Sequence, residues 1–217
     1  MAPLDHPRPL AVNRYHDHRA GELRPEHVGR EVRLAGWVAA KRDHGGLLFV
    51  DLRDAGGMGP AGIVQLVSHP GSPGFETLEG LRLESTVSVV GQVVARSPET
   101  VNPKIDTGEV EVAVASVEVL AAADILPFPI EHEAEVNEEA RLRYRYLDLR
   151  RGPLAARLLQ RNRFAAVVRQ HLATRGFLEV QTPVLTASSP EGARDYLVPS
   201  SQFPGEFYAL PQAPQQF

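Results

Sequence analysis

The sequence from residue 176 onward contains three segments that decide the fold: GFLEVQTPVLT (176–186), SPEGARDYLVP (189–199) and FYALPQAPQQF (207–217). In the first of them, Gly176 is typical of a residue that ends a helix. The apolar run Phe177–Val180 then predicts a short buried strand that stops at a Thr-Pro pair. On pattern alone, these residues indicate an ordinary strand-loop-strand edge.

The middle segment predicts a loop followed by a hairpin. Residues 187–194 are small or polar, and their Pro and Gly permit sharp backbone angles. This loop carries one carboxylate and one guanidinium, as binding loops often do. The hairpin is expected to run from 195–198 to 207–210.

The part of the chain before residue 122 predicts a small β-barrel. Runs rich in Val and Leu alternate with polar residues or form compact apolar stretches, and Pro- and Gly-rich turns separate them. A short helix around Leu78 interrupts them after the third run. Three strands, a helix and two strands is the order of the OB-fold, although other five-stranded barrels have the same pattern. The predicted strands are Glu31–Lys41, Leu47–Asp54, Gly62–Ser68, Thr86–Arg96 and Glu109–Leu120.

A linker and two helices connect this barrel to the segments quoted first. Residues 121–136 are rich in Pro and acidic side chains. Asn137 then predicts the N-cap of a short helix. Leu154 and Leu172 belong to an apolar face of a longer helix that ends at Gly176. We therefore expect two domains.

Composition excludes several classes of protein. The 217 residues are 43% hydrophobic with a mean hydropathy of −0.20, and no run approaches the ~18 apolar residues of a membrane span. The absence of cysteine excludes disulfides and thiolate metal sites, which fits the cytoplasm. A net charge of −4 argues against general adhesion to nucleic acid, so RNA contacts need a local basic face.

His16 and His18 suggest two alternatives. They could form a metal site, or they could be a solvated pair, which is favoured because no other cluster of ligands supports a metal.

The quoted segments, together with RLRYRYLDLRR (141–151), closely resemble bacterial aspartyl-tRNA synthetases. The first segment resembles class II motif 1, the second the flipping loop over the amino-acid pocket, and the third the start of the aspartate site. The resemblance implies a tail (1–14), an OB-fold anticodon-binding domain of five strands (15–122), a linker and hinge (123–150), and the beginning of an α+β class II catalytic domain (151–217).

The resemblance also implies an activity for a longer protein. Such an enzyme activates L-aspartate with ATP and Mg²⁺, transfers it to tRNA(Asp), and forms a homodimer through motif 1. Motifs 2 and 3 do not occur in these 217 residues. We therefore expect the chain to be the N-terminal portion of the enzyme, to contain no catalytic residue or metal site, and to bind no ATP by itself. The alternative is a non-catalytic OB-fold module that holds RNA or a partner protein; an asparaginyl or lysyl relative fits the hinge and loop less well.

Phe49 is the residue to which the resemblance gives the clearest role. An aromatic platform flanked by cations is how OB-folds bind single-stranded nucleic acid. On the pattern alone, the interpretation that Phe49 fills the barrel core is favoured. By resemblance, Phe49 stacks on an anticodon base. Other residues at positions that line the same groove in the family are Arg42, Gln65, Arg82, Arg96, Asn102 and Glu111.

The resemblance assigns two residues to the aspartate site. Glu191, in the flipping loop, would meet the α-amino group of aspartate, and Gln215 would hold the same end of the substrate. A surface carboxylate is the alternative for Glu191. Ala213 and Gln216 stand where the family usually has Ser and Leu, which indicates weaker aspartate binding.

His44 bears on which tRNA the enzyme charges. By resemblance, a His here is frequent in enzymes that charge both tRNA(Asp) and tRNA(Asn), whereas Leu is frequent in those restricted to tRNA(Asp). An imidazole can donate or accept a hydrogen bond where Leu can only pack. Glu99 aligns with a second position linked to this distinction. The alternative is that His44 is a solvated turn residue.

Overall fold

The computed structural model describes residues 13–54, 62–130, 135–188 and 195–216. Its barrel consists of β1 (Glu31–His44), β2 (Leu47–Arg53), β3 (Ile63–Ser68), β4 (Thr86–Ala95) and β5 (Val110–Ala121). The strands close in the order β1-β2-β3-β5-β4. β3 and β5 pair in parallel, and every other pair is antiparallel. The five predicted strands are confirmed, with β1 extending three residues further than expected.

The barrel closes around a core of Val and Leu. Burial alternates along β1 and β2, which points every second side chain inward. Leu34, Val50 and Leu66 are fully buried, and each contributes roughly 1.5–3 kcal/mol relative to exposure. The helix α1 (Phe75–Gly80) adds the fully buried Leu78 to this core.

A two-residue turn joins β1 to β2. Gly45 and Gly46 both have positive φ, 67° and 91°, as the tight hairpin turns that match strand twist require. The Asp43 carboxylate accepts a hydrogen bond of 2.8 Å from the Gly46 amide. His44 therefore pairs with Leu47 at the very end of the hairpin.

The hinge packs around a buried carboxylate. It contains α2 (Glu138–Arg143), capped by the Asn137 side chain as predicted, and α3 (Arg145–Asp148). Asp148 is 1% exposed and accepts hydrogen bonds from Nε of Arg141 at 3.1 Å and Nη1 of Arg145 at 3.5 Å. These charged partners compensate for the cost of burying the carboxylate.

The hinge also contacts the barrel through Glu84. This buried residue has a φ of 66°, which is rare for a side chain larger than Gly. Its carboxylate accepts hydrogen bonds from Arg53 at 2.6 Å and from Arg150 of the hinge at 3.1 Å. The Arg150 guanidinium also lies 4.7 Å from the centre of the Trp37 ring. Arg150 thus joins the hinge to the barrel by an ion pair and a cation–π contact.

The chain divides into two units, residues 1–160 and 161–217. The long helix α4 (Gly152–Ala173) has no buried residue, and Gly176 follows it with a φ of 84°, as expected of a helix end. The predicted hairpin is confirmed as β6 (Leu197–Pro199) paired with β7 (Phe207–Ala209). None of the helices in the described ranges is both long and apolar enough to cross a membrane.

The prediction of a buried strand at 177–180 is wrong. These residues belong to no strand, and Phe177 and Leu178 are 65% and 86% exposed. A strand requires a partner for its backbone hydrogen bonds, and the described residues supply none here.

Candidate nucleic-acid interface

A cleft of about 440 Å³ lies on the outer face of the barrel. Its walls come from β1, β2, β3 and β5 and from the loop that follows β4. Five of the seven predicted anticodon residues line it, and His44 lies beside them. The five are Arg42, Phe49, Gln65, Arg96 and Glu111.

Phe49 is on the outer face of the barrel and not in its core. The core is formed by its neighbours Leu48 and Val50, whereas Phe49 is half-buried. The interpretation that Phe49 fills the barrel core is therefore wrong. The His44 ring meets the Phe49 ring edge-on, with centroids 5.8 Å apart and planes at 71°. This contact holds one aromatic face at the cleft wall, in a geometry typical of aromatic pairs.

Gln65 and Glu111 form a polar pair on the neighbouring strands. Nε2 of Gln65 donates a hydrogen bond of 2.9 Å to Oε2 of Glu111. The same carboxylate oxygen lies 3.7 Å from Nε of Arg96. The pair therefore presents both donors and acceptors, which base edges require and phosphates do not.

Arg96 is almost fully enclosed, with its side chain 4% exposed. Nε donates to the carbonyl of Val110 and Nη1 to that of Thr100, both at 3.2 Å. Nη2 is buried and has no hydrogen-bond partner among the residues that the structure describes. A buried donor without a partner is costly, and it belongs to a side chain of the cleft wall.

Arg42 is held by a residue that the sequence reasoning missed. Its Nη2 donates hydrogen bonds of 2.8 and 2.9 Å to the two carboxylate oxygens of Asp51. Burial raises the pKa of Asp51, while the charges of Arg42 and Arg96 oppose that rise. Strand alternation could have identified Asp51, because it lies two residues after Phe49 and thus on the same face.

Three predicted residues do not line the cleft. Arg82 is exposed, and its Nη1 lies 4.0 Å from Oδ1 of Asp124. Asn102 organises the loop between β4 and β5, since its side chain accepts a hydrogen bond from the Lys104 amide. Glu99 is exposed in the same loop.

The predicted aspartate residues are not brought together by the described part of the chain. Glu191 lies outside the described residues, as do positions 189–194 of the predicted loop 187–194. Gln215 is exposed in the short 3-10 turn Pro214–Gln216. The described residues hold no group of three or more His, Asp or Glu side chains placed to bind a metal ion.

A second cleft, of about 640 Å³, lies in the hinge. Its lining includes Arg141 and Arg151, but none of the predicted site residues. Both arginines pair with the buried Asp148, at 3.1 and 3.8 Å. Their charge therefore compensates an internal carboxylate, so the barrel cleft is the stronger candidate for an RNA surface.

The family profile for the OB-fold nucleic acid binding domain matches residues 32–120, and that for class II tRNA synthetases (D, K and N) matches residues 137–217. The aspartate–tRNA(Asp/Asn) ligase of Phenylobacterium zucineum is 55% identical over 203 residues, which are 94% of this chain and 33% of that protein. The aspartate–tRNA ligase of Streptomyces avermitilis is 53% identical over 95% of this chain and 34% of its own length.

Solved structures give the same result for the fold. The asparaginyl-tRNA synthetase of Pyrococcus horikoshii superposes with a TM-score of 0.70 at 30% identity, covering 89% of this chain and 42% of that one. An aspartyl tRNA synthetase from Entamoeba histolytica gives 0.64 at 23% identity, over 77% and 39%. This chain spans about a third of the length of the curated relatives it matches. The chain belongs to the class II aspartate–tRNA ligase family, of which it contains the OB-fold domain and the beginning of the synthetase domain.

Proposed function

We propose that this chain is the anticodon-binding and hinge portion of an aspartate–tRNA ligase that attaches L-aspartate to tRNA(Asp) at the expense of ATP. The observation that carries the proposal is the barrel cleft. In it an outward-facing Phe49 is surrounded by Arg42, Gln65, Arg96 and Glu111. One aromatic platform with a mixture of donors and acceptors suits unpaired bases, and each stacked base is worth roughly 1–3 kcal/mol.

Binding of a short RNA hairpin with the GUC anticodon of tRNA(Asp) tests this assignment. In the 217-residue chain, Phe49→Ala should weaken binding by about 1–3 kcal/mol through loss of stacking. Phe203→Ala is the matched control, since Phe203 is 57% exposed and lies outside the barrel. An unchanged dissociation constant for a folded Phe49→Ala variant would contradict the proposal.

The cleft also supports charging of tRNA(Asn). His44 lines the cleft and touches Phe49, so it can reach a base that stacks on that ring. The Phenylobacterium relative is named for both tRNAs. We expect the wild-type chain to bind hairpins with GUC and GUU anticodons comparably, and His44→Leu to favour GUC. An unchanged preference in His44→Leu would remove His44 from tRNA selection, and Glu99, outside the cleft, would remain a candidate.

The whole enzyme is proposed to bind aspartate through Glu191 and Gln215 and to use ATP with Mg²⁺. ATP and Mg²⁺ are not expected to bind this chain alone, because motifs 2 and 3 are not among its residues. Aspartate-dependent ATP–pyrophosphate exchange by the 217-residue chain, above a blank, would contradict that expectation. Hairpin binding by the whole protein without any aspartylation would instead favour the non-catalytic RNA-binding module.

We further propose a cytoplasmic homodimer for the whole enzyme. The helix α4 has no buried residue, and Phe164 and Val167 on it are 71% and 63% exposed. Exposed apolar surface of this kind favours an interface. Sedimentation of the whole protein as a monomer at micromolar concentration would contradict the dimer.

A further inference from the structure

Asp51 is an unexpected residue at the border of a cleft proposed to receive RNA. A carboxylate repels the phosphate backbone and therefore opposes binding by simple electrostatics. Asp51 sits two residues after Phe49 on β2 and opposite Gln65 in the register with β3. Its side chain is 21% exposed and does not itself line the cleft, whereas that of Arg42 does.

The contact between Asp51 and Arg42 uses only one nitrogen of the guanidinium. Nη2 donates to both carboxylate oxygens, at 2.8 and 2.9 Å. Nε and Nη1 of Arg42 have no hydrogen bond to any other described residue, and its side chain is 50% exposed. Nη2 of Arg42 is thus held by Asp51, while Nε and Nη1 are free to donate to a ligand.

We propose that Asp51 is a positioning residue for the RNA site: it holds Arg42 in a single orientation, so that the free guanidinium donors meet an acceptor of the anticodon loop. This inference rests on the proposed function. A long, half-exposed arginine loses rotamer freedom when it binds, and a partner that has already fixed it reduces that loss.

The two effects of Asp51 have opposite signs, which makes the proposal testable. If Asp51 were only a negative charge near the RNA, Asp51→Asn would strengthen binding. If it positions Arg42, the same substitution should weaken binding about tenfold, the scale of one charge-assisted contact. The measurement is the dissociation constant of the 217-residue chain for the hairpin with the GUC anticodon.

Glu118→Gln is the matched control. Glu118 is an exposed carboxylate on β5 that does not line the cleft, so its loss changes the net charge equally. It should leave binding unchanged or slightly tighter. Arg42→Ala provides the second test, since in an Arg42→Ala background Asp51→Asn should no longer weaken binding.

Each outcome decides between the proposals. If the wild-type chain does not bind the hairpin, the proposed function fails. If it binds and Asp51→Asn binds equally or more tightly, or if Asp51→Asn still weakens binding without Arg42, the positioning role is wrong. Should Asp51→Asn fail to fold, Arg42→Lys replaces it. Lysine keeps the charge but has a single nitrogen, so it cannot pair with Asp51 through one nitrogen and donate to the RNA through another. A loss of affinity of about tenfold is therefore expected, and wild-type affinity would overturn the proposal.

Discussion

The barrel and the region after residue 160 bury their apolar residues to very different extents. In the barrel, Leu34, Leu52 and Leu66 are completely buried within the chain itself. After residue 160, Leu178 is 86% exposed and Phe164 is 71% exposed. The first region forms its own core, whereas the apolar surface of the second is left uncovered by the described residues of this chain.

A regular pattern of apolar residues therefore has a different structural outcome in each region. In the barrel, alternation marks which side chains face the interior, and some of the outward-facing ones line the cleft that we propose binds RNA. After residue 160, apolar residues recur on a helix that buries none of them. A pattern of apolar residues therefore predicts that a surface will be covered, but not that its own chain covers it.

A matched pair of leucine substitutions tests this comparison most strongly. Leu66→Ala should destabilise the barrel by about 2–5 kcal/mol, because it removes buried methyl groups and leaves a cavity. Leu178→Ala should change stability by less than about 0.5 kcal/mol, since the side chain is already exposed. Urea unfolding of the 217-residue chain, followed by the fluorescence of its single tryptophan, measures both. Equal effects would show that the side chain of Leu178 is buried in solution.

Arg150→Ala tests whether the hinge belongs to the well-packed region. The substitution removes the 3.1 Å hydrogen bond to Glu84 and the contact with Trp37. A loss of about 1.5–3 kcal/mol is expected, the usual range for a hydrogen bond to a charged group. Trp37 reports it directly, because its emission should shift when the guanidinium leaves the ring. Arg143→Ala is the control: Arg143 lies in the same hinge and stacks on Tyr144. If the two variants behave alike, the hinge is not fixed to the barrel through Arg150.

The strands of the barrel could be predicted because the residues that mark a strand or a tight turn lie close together in the sequence. Alternation located the five strands, and the Gly45-Gly46 pair supplied the positive φ angles of the first hairpin. The strand predicted at 177–180 failed because apolar composition does not provide a pairing partner.

For the cleft, resemblance supplied residues that the fold then gathers around Phe49. It also supplied Arg82 and Asn102, which lie in loops outside the cleft. Loop positions carry no strand periodicity from which the direction of a side chain could be predicted. Alternation places Asp51 on the same face as Phe49, but its role depends on a contact with Arg42 on the neighbouring strand. Pairing across strands is set by register, which the sequence of one strand does not contain.

The smallest expected effect concerns the pH dependence of barrel stability through Asp51. Burial raises the pKa of this carboxyl group above 3.8, despite the charges of Arg42 and Arg96. Between the unfolded and folded pKa values, the folded state binds more protons, so the free energy of unfolding falls as pH rises through this window. Above the folded pKa, the free energy of unfolding no longer changes with pH through Asp51.

Asp51→Asn should remove this contribution, because the amide does not titrate. The urea midpoint of the wild type minus that of Asp51→Asn should therefore decline as the pH rises from about 3.8 through the folded pKa, and then become constant. Other carboxyl groups contribute to both proteins and cancel in the difference. A difference that rises with pH would mean that the Arg42 contact outweighs burial and lowers the pKa. In that case Asp51 would stabilise the barrel as an ion pair, in addition to positioning Arg42.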